Sequence, residues 1–279
     1  MRPLLLTFDL EEFDWPAERG RRAAPGAQVR VTTAGLRRVL PVLADRGVRA
    51  TFFATARYAE ARPEVVRELI GAGHEVAAHG LEHRDAYAGL PPEALRERLA
   101  RAREVLAQVT GRPPVGFRAP RLQYVPASVL AGAGYGYDAS LHPTYVPGRY
   151  NGLHWSRTPW VEGSVVRVPI SVLPGLRVPL SWLWFRWWGA TLTGWAARHG
   201  LGTTPYCQVY FHPWEAVPVA ECGIPWYFSR GTGARFVEAL ARFLDVVLPA
   251  HRAVPVADWV AAWRSQRRSS APREGYGGR

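Results

Sequence analysis

A chain of 279 residues is long enough for two average domains or for one barrel-type domain, and a single domain is the expectation. With 48% hydrophobic, 12% aromatic and 21% charged residues it is a globular core-former, which excludes a disordered or collagen-like chain. The formal charge is +12, yet all 35 basic residues are arginine in an Ala/Gly/Pro-rich chain, a pattern closer to codon bias than to chemical demand. Without a recognised binding motif, that charge is no argument for nucleic acid as a partner.

Short apolar runs alternate with longer amphipathic ones. In chain order, residues 4–8 read as a strand, 32–46 as a helix capped at Thr32 or Thr33 and stopped at Gly47, and 49–54 as a strand. A helix over 63–72 opens on a proline, a strand follows over 74–78, and the long helix 92–109 is stopped by Gly111 before a short strand at 115–117. Then come helix 126–133 and strands 136–138, 165–170 and 208–211, with helix 233–248 and a last strand at 253–256. Strands separated by helices of this length pair in parallel, because parallel neighbours need a crossover of about a dozen residues or more. The fold class is therefore α/β, a distorted (β/α)7-type barrel of parallel strands, with one domain over 1–264. The polar, basic, Gly/Ser-rich stretch 265–279 reads as a disordered tail.

Cys207 and Cys222 are too few for a disulfide framework or a cysteine metal site. The apolar run after Met1 meets Asp9, Glu11 and Glu12 too soon for a secretory signal, so the expected location is cytoplasmic.

Four chemical groups stand at strand carboxyl ends: Asp9, His79, Arg118 and His212. In a parallel barrel those ends converge on the face where active sites are built. His79-Gly80-Leu81-Glu82-His83 spaces two imidazoles four apart, as metal ligands are spaced, although Gly80 replaces the glutamate of the zinc-protease helix. Catalytic zinc typically takes three protein ligands and keeps one position open, so a carboxylate is needed from elsewhere. The cluster Asp9-Leu10-Glu11-Glu12 offers candidates. If the strand persists, Asp9 and Glu11 share a face and Glu12 points away, favouring Glu11; a turn after Asp9 would reopen the choice.

Taken together, these segments resemble the polysaccharide deacetylases, the NodB-like carbohydrate esterases. Thr7 to Glu12 resembles the family's first motif, His79 to His83 the metal-binding second, and Gly116 to Arg121 the third. Tyr137 to Ser140 stands in the fourth and Val209 to Glu215 resembles the histidine-bearing fifth. The D-x-E spacing and the Phe-His-Pro-Trp-Glu ending further resemble a branch found with bacterial exopolysaccharide genes. The departure is Leu10, which separates two acidic residues that are adjacent in most of the family and moves the metal ligand to Glu11.

The resemblance implies a metal-dependent N-deacetylase acting on an N-acetylated glycan or its lipid-linked precursor. It implies a divalent metal, zinc first, on Glu11, His79 and His83. Asp9 would be the general base with Arg118 beside it, and His212 would protonate the departing nitrogen. Arg121, through its backbone N–H, Trp214 and Asp138 would contact the substrate or its oxyanion. Alternatives are a same-fold hydrolase of another C–N bond, such as a formamido sugar or ureide, and a non-catalytic glycan-binding relative.

The segment 178–197 approaches the roughly 20 apolar residues of a membrane span. Pro179, Gly189 and Gly194 interrupt it, and Arg186 near its middle would cost about 2.5–3.5 kcal/mol, so a span is rejected. On one continuous helix Trp184, Trp187, Trp188 and Trp195 share an arc of about 100°. That face could pack on the barrel, lie peripherally on a membrane, or stack against sugar rings.

Overall fold

In a computed structural model of the chain, residues 1–20, 24–148, 150–202 and 204–270 are described. Among these residues there are eleven strands: β1 (Arg2–Leu10), β2 (Thr51–Ala54), β3 (Glu75–Ala78), β4 (Gly116–Phe117), β5 (Tyr137–Asp138), β6 (Tyr145–Val146), β7 (Tyr150–Asn151), β8 (Trp160–Glu162), β9 (Val165–Arg167), β10 (Cys207–Phe211) and β11 (His251–Ala253). Nine form one curled sheet in the order β10-β1-β2-β3-β4-β5-β9-β8, with β11 also on β1, while β6 and β7 make a separate hairpin. All pairs in the large sheet are parallel except β8 with β9.

The strands β1 to β5, β9 and β10 make a seven-stranded, partly open barrel. Strand β9 stops two residues before Pro169, which has no N–H to continue a ladder. The seam between β9 and β10 is instead bridged by single bonds: Ser171 N–H to Gln208 O at 3.2 Å and Gln208 N–H to Ser171 Oγ at 2.8 Å.

Alternation along β1 sorts its side chains between two environments. Leu4, Leu6, Phe8 and Leu10 pack outward in the main core, which includes Leu36, Val39 and Leu43 of the helix Ala27–Ala44. Leu5 points inward with Phe53, Ala77, Tyr137 and Val166 and forms an apolar barrel floor. Thr7 and Asp9 continue that inward row towards the carboxyl end of the sheet, so the lumen passes from apolar to charged as the strand ascends.

Three expectations are corrected. The first long helix begins at Ala27, because Thr32 and Thr33 are not caps: their hydroxyls donate to Glu11 O at 2.7 Å and Val29 O at 2.8 Å. The last strand lies at His251–Ala253, and Val256 instead opens a helix, Val256–Ser270, directly after Pro255. That helix carries residues 265–270 of the expected tail, because Val256, Trp259 and Val260 bury one face against the barrel floor while the arginines stay on its polar side. The remainder of the expected tail, 271–279, lies outside the described residues.

The tryptophan arc is interrupted after Trp188, so that Trp195 does not continue the face of Trp184, Trp187 and Trp188. The helix Trp182–His199 is broken at Gly189, where φ is 82° and ψ 168°, so positions before and after it do not share one helical wheel. Trp184 pairs with Trp188, Trp187 packs on Trp226, and Trp195 lies beside His199. Among the described residues no helix is long and apolar enough to cross a membrane. Cys207 is a buried free thiol.

Candidate active site

At the carboxyl ends of the strands lies a cavity of about 390 Å³ lined by residues that include Asp9, Glu11, His83, Arg121, His212 and Trp214. These six come from the end of β1 and three later loops, distant in sequence and brought together by the parallel sheet. His79 lies beneath them at the end of β3, 1% exposed. Trp15, Glu18, Trp182 and Tyr210 also line the cavity and had no assigned role in the sequence reading.

Arg118, wholly buried, crosses the lumen from the end of β4. Its Nη1 donates to Asp9 Oδ1 at 2.6 Å and Thr7 Oγ1 at 2.9 Å, and its Nε donates to Ala139 O at 3.1 Å. The guanidinium carbon lies 4.1 Å from the Phe53 ring centroid, a cation–π contact with the barrel floor.

Glu11 and Glu12 diverge as the alternation of β1 requires. Glu11 Oε2 lies 3.1 Å from His79 Nε2 and 3.4 Å from His83 Nε2, and Oε1 lies 3.8 Å from His212 Nε2. Glu12 turns away, accepting from Thr55 Oγ1 at 2.9 Å and from the His83 N–H at 2.9 Å, so it fixes the histidine loop from behind. Burial works to raise the Glu11 carboxyl, but His83, His79 and His212 around it carry it down to about 2. Burial likewise opposes a charged His83, but Glu11 and Asp14 carry that ring up to about 9. For Glu12, burial outweighs its hydrogen bonds and raises it.

The histidine loop is a tight turn. Gly80 has φ +79°, and a Cβ there would stand 2.5 Å from Tyr87 Oη and 3.0 Å from Asp85 Oδ2. This explains why glycine occupies that position. Asp85 accepts from the Leu81 N–H at 2.9 Å and is itself held by Arg98.

Among the described residues, no group of three His, Cys, Asp or Glu side chains is placed so as to hold a metal ion as it stands. Their chemistry nevertheless fits a cation. His79 Nδ1 lies 2.9 Å from Arg118 O, which can only accept, so Nδ1 carries the proton and the Nε2 lone pair faces a carboxylate. In that tautomer a cation between the two groups makes the contact attractive, whereas a ring protonated on both nitrogens donates from Nε2 to Glu11 instead. Donors on one tetrahedral zinc, bonded at about 2.0–2.1 Å, lie about 3.3–3.4 Å from each other. The separations of Glu11 Oε2 from the two imidazoles are close to that.

His212 follows β10 and opens the turn Pro213–Ala216. The helix Ala27–Ala44 presses on this turn at Gly35, where a Cβ would meet Pro213 O at 1.9 Å. Glu215, fully buried, accepts from the His212 N–H at 2.9 Å and lies 3.3 Å from His212 Nδ1. Trp214 stacks on the His212 ring at 5.2 Å and Trp182 meets it edge-on at 5.1 Å. Burial opposes the charged ring, but Glu215, Glu11 and Asp9 raise it above the usual imidazole value.

Asp138 does not line the cavity, which corrects its expected substrate contact. It is fully buried, bonded to Arg167 Nη1 at 2.5 Å and to the Ser140 N–H at 3.0 Å. Ser140 Oγ in turn accepts from the Ala119 N–H at 2.8 Å, so Asp138 acts on the site only by fixing the loop before Arg121. Within that loop Arg121 and Leu122 both adopt φ 55°, a left-handed conformation that side chains pay for in strain, and Arg121 pairs with Glu18 across the cavity mouth.

A family model described as polysaccharide deacetylase matches residues 3–140, which carry β1 to β5 and most of the site. Over that span, just under half of the chain, the sequence is similar to the polysaccharide deacetylase family. A chitooligosaccharide deacetylase of Bradyrhizobium sp. (strain ANU 289) is 31% identical over 141 residues, 50% of this chain and 58% of that protein. The chain thus matches under two thirds of that family member's length. Among solved structures, a candidate polysaccharide deacetylase from Mycobacterium smegmatis is similar at TM-score 0.67 and 22% identity, covering 95% of this chain and 91% of the other. Puue allantoinase is similar at TM-score 0.64 and 15% identity, covering 94% and 90%. At these identities the likeness is one of fold.

Proposed function

We propose that the protein hydrolyses the N-acetyl group of an amino sugar in a polysaccharide or its precursor, using a divalent metal held by Glu11, His79 and His83. The observation that carries this reading is the Glu11 carboxylate facing the His79 and His83 imidazoles, with His79 anchored through Nδ1 to Arg118 O, beside an Asp9 carboxylate paired with Arg118. When bound, a divalent ion at such a site supplies Lewis acidity towards the amide carbonyl and makes water more acidic.

The chain's own groups do the rest. Asp9, at the cavity wall and held in orientation by Arg118, receives the proton from the attacking water. The water oxygen adds to the acyl carbon, the C–N bond breaks, and His212 Nε2 delivers a proton to the departing nitrogen. His212 suits that task because its surroundings favour the protonated ring. The Arg121 N–H, set by the strained loop, is the proposed donor to the developing oxyanion; one such donor is typically worth about 3–4 kcal/mol. Trp214, Trp182 and Trp15 give the cavity apolar walls suited to a sugar ring. The Phe211–Glu215 ending supports placing the chain with the exopolysaccharide-associated branch.

Acetate release from chito-oligosaccharides, measured with metal content, tests this. Asp9→Asn is expected to keep the metal and lose turnover, whereas His79→Ala loses both. No acetate from metal-loaded wild type would overturn the substrate assignment, and equal metal loss in both variants would overturn the roles of Asp9 and His79.

A further inference from the structure

The Trp-rich helix contributes one charged side chain to the interior. Arg186 lies one turn after Trp182, on the same helix face, and its side chain is 1% exposed. Its Nη1 donates to Phe228 O and Arg230 O, both at 2.7 Å, and its guanidinium carbon lies 5.2 Å from the Trp182 ring centroid. Its Nε stands 2.8 Å from Glu215 Oε2, a close ion pair whose N–H is not aligned as a hydrogen bond. The other oxygen of Glu215 holds His212 at both its backbone N–H and Nδ1. A carboxylate only accepts, so Nδ1 carries the proton and Nε2 is the nitrogen left for the cavity.

We propose that Arg186 is a positioning residue for His212, acting through Glu215 and through the Trp182 ring that meets the imidazole edge-on. This rests on the reading of His212 as the group that protonates the departing nitrogen. The physical reason is that a carboxylate in a fully buried site is an orienting acceptor only if a counter-charge offsets its desolvation. Among the described residues the ion pairs of Glu215 are with His212 and Arg186, and Arg186 is the permanently charged one. The helix that looked like a membrane element thus carries the support of the proton donor.

The test is a double-mutant cycle on the metal-loaded enzyme with a chito-oligosaccharide, using Arg186→Met, Glu215→Gln and the two combined. Each single substitution is expected to lower kcat about 100-fold, within the range of general acid catalysis, with KM changed less than about twofold. The double variant should be no slower than either single one, because both break the same link. Its thermal midpoint should recover relative to Arg186→Met, since no lone buried carboxylate remains, while its kcat stays low. Unchanged kcat in Arg186→Met, additive losses, or kcat restored together with stability would each overturn the proposal and leave Arg186 a merely structural cation. A second readout does not need turnover: the His212 Nδ1–H resonance in ¹⁵N-histidine-labelled protein should shift in Arg186→Met. If wild type releases no acetate while that resonance still moves, the functional reading fails and the positioning stands. If the resonance is unmoved, the positioning fails.

Discussion

Replacing Arg118 by methionine tests the pair on which the site's interior rests. Methionine keeps much of the length and the apolar stem but removes the charge and the donors that now serve Asp9, Thr7 and Ala139 O. Asp9 is 3% exposed, so it would be left as a carboxylate without its guanidinium on the cavity wall above an apolar floor. Breaking a buried pair from one side typically costs about 3–5 kcal/mol, and the lost bond to Ala139 O belongs within that figure and not on top of it. Against a usual domain stability of roughly 5–15 kcal/mol, this is a large share. The double variant Asp9→Asn/Arg118→Met leaves no lone charge and should regain most of the loss. Arg37→Met provides the contrast: its pair with Glu68 is about half exposed on both sides, and surface pairs are worth about 0–1 kcal/mol. Urea unfolding followed by far-ultraviolet circular dichroism, with chelator present so that metal binding does not contribute, gives the midpoints and slopes. A loss under about 1 kcal/mol in Arg118→Met at unchanged slope, or a double variant as unstable as the single one, would refute the reasoning.

Two further predictions concern the proposed metal site. In the metal-free protein His83 is carried up to about 9, so at pH 7.5 it holds a proton that must leave when the ring becomes a ligand, whereas Glu11, at about 2, is already ionised. Calorimetry of zinc binding in buffers of different ionisation enthalpy should show about one proton released through His83 at pH 7.5, falling as the pH passes about 9; a count that stays constant to pH 10 would show that His83 is not the group displaced. Glu11→Gln should remove zinc binding, whereas Glu12→Gln, which loosens the loop behind His83, should weaken it about 10–100-fold. Equal affinities in the two variants would mean that the two glutamates do not divide the work in this way.

The parallel barrel is legible in the sequence because its signals are local: runs such as Leu4 to Phe8, a stop at Gly111, and polar residues immediately after strand ends. The inward row Leu5, Thr7, Asp9 follows from strand alternation alone, and so does the divergence of Glu11 from Glu12. What is not legible depends on contacts made in three dimensions. Thr32 looks like a helix cap until Glu11 O is brought beside it, and the arginines after Ser265 look like a tail until Trp259 and Val260 find the barrel floor. Asp138 belongs to a site motif, yet its nearest cation, Arg167, lies on the neighbouring strand β9 and claims it. Glu215 stands three residues after His212, a spacing that would have signalled an orienting carboxylate. Arg186 gave no such sign, because 29 positions of chain separate it from Glu215.

Three of the chain's 35 arginines face a common electrostatic task at the upper end of the barrel: Arg118 with Asp9, Arg167 with Asp138, and Arg186 with Glu215. In each the guanidinium serves several acceptors at once, which a lysine, with its compact ammonium, would not span. Desolvating such pairs contributes little net stability, so their value lies in fixed orientation of the groups around the cavity. Glu11 differs from the three paired carboxylates. Among the described residues its ion-pair partners are His79, His83 and His212, none of them a guanidinium. Imidazoles can give up their protons, whereas guanidinium cannot at any ordinary pH. Among the described carboxylates that line this cavity, Glu11 is therefore the one whose charge a divalent ion can take over without displacing a permanent cation, which is the physical reason for proposing a metal there and not at Asp9.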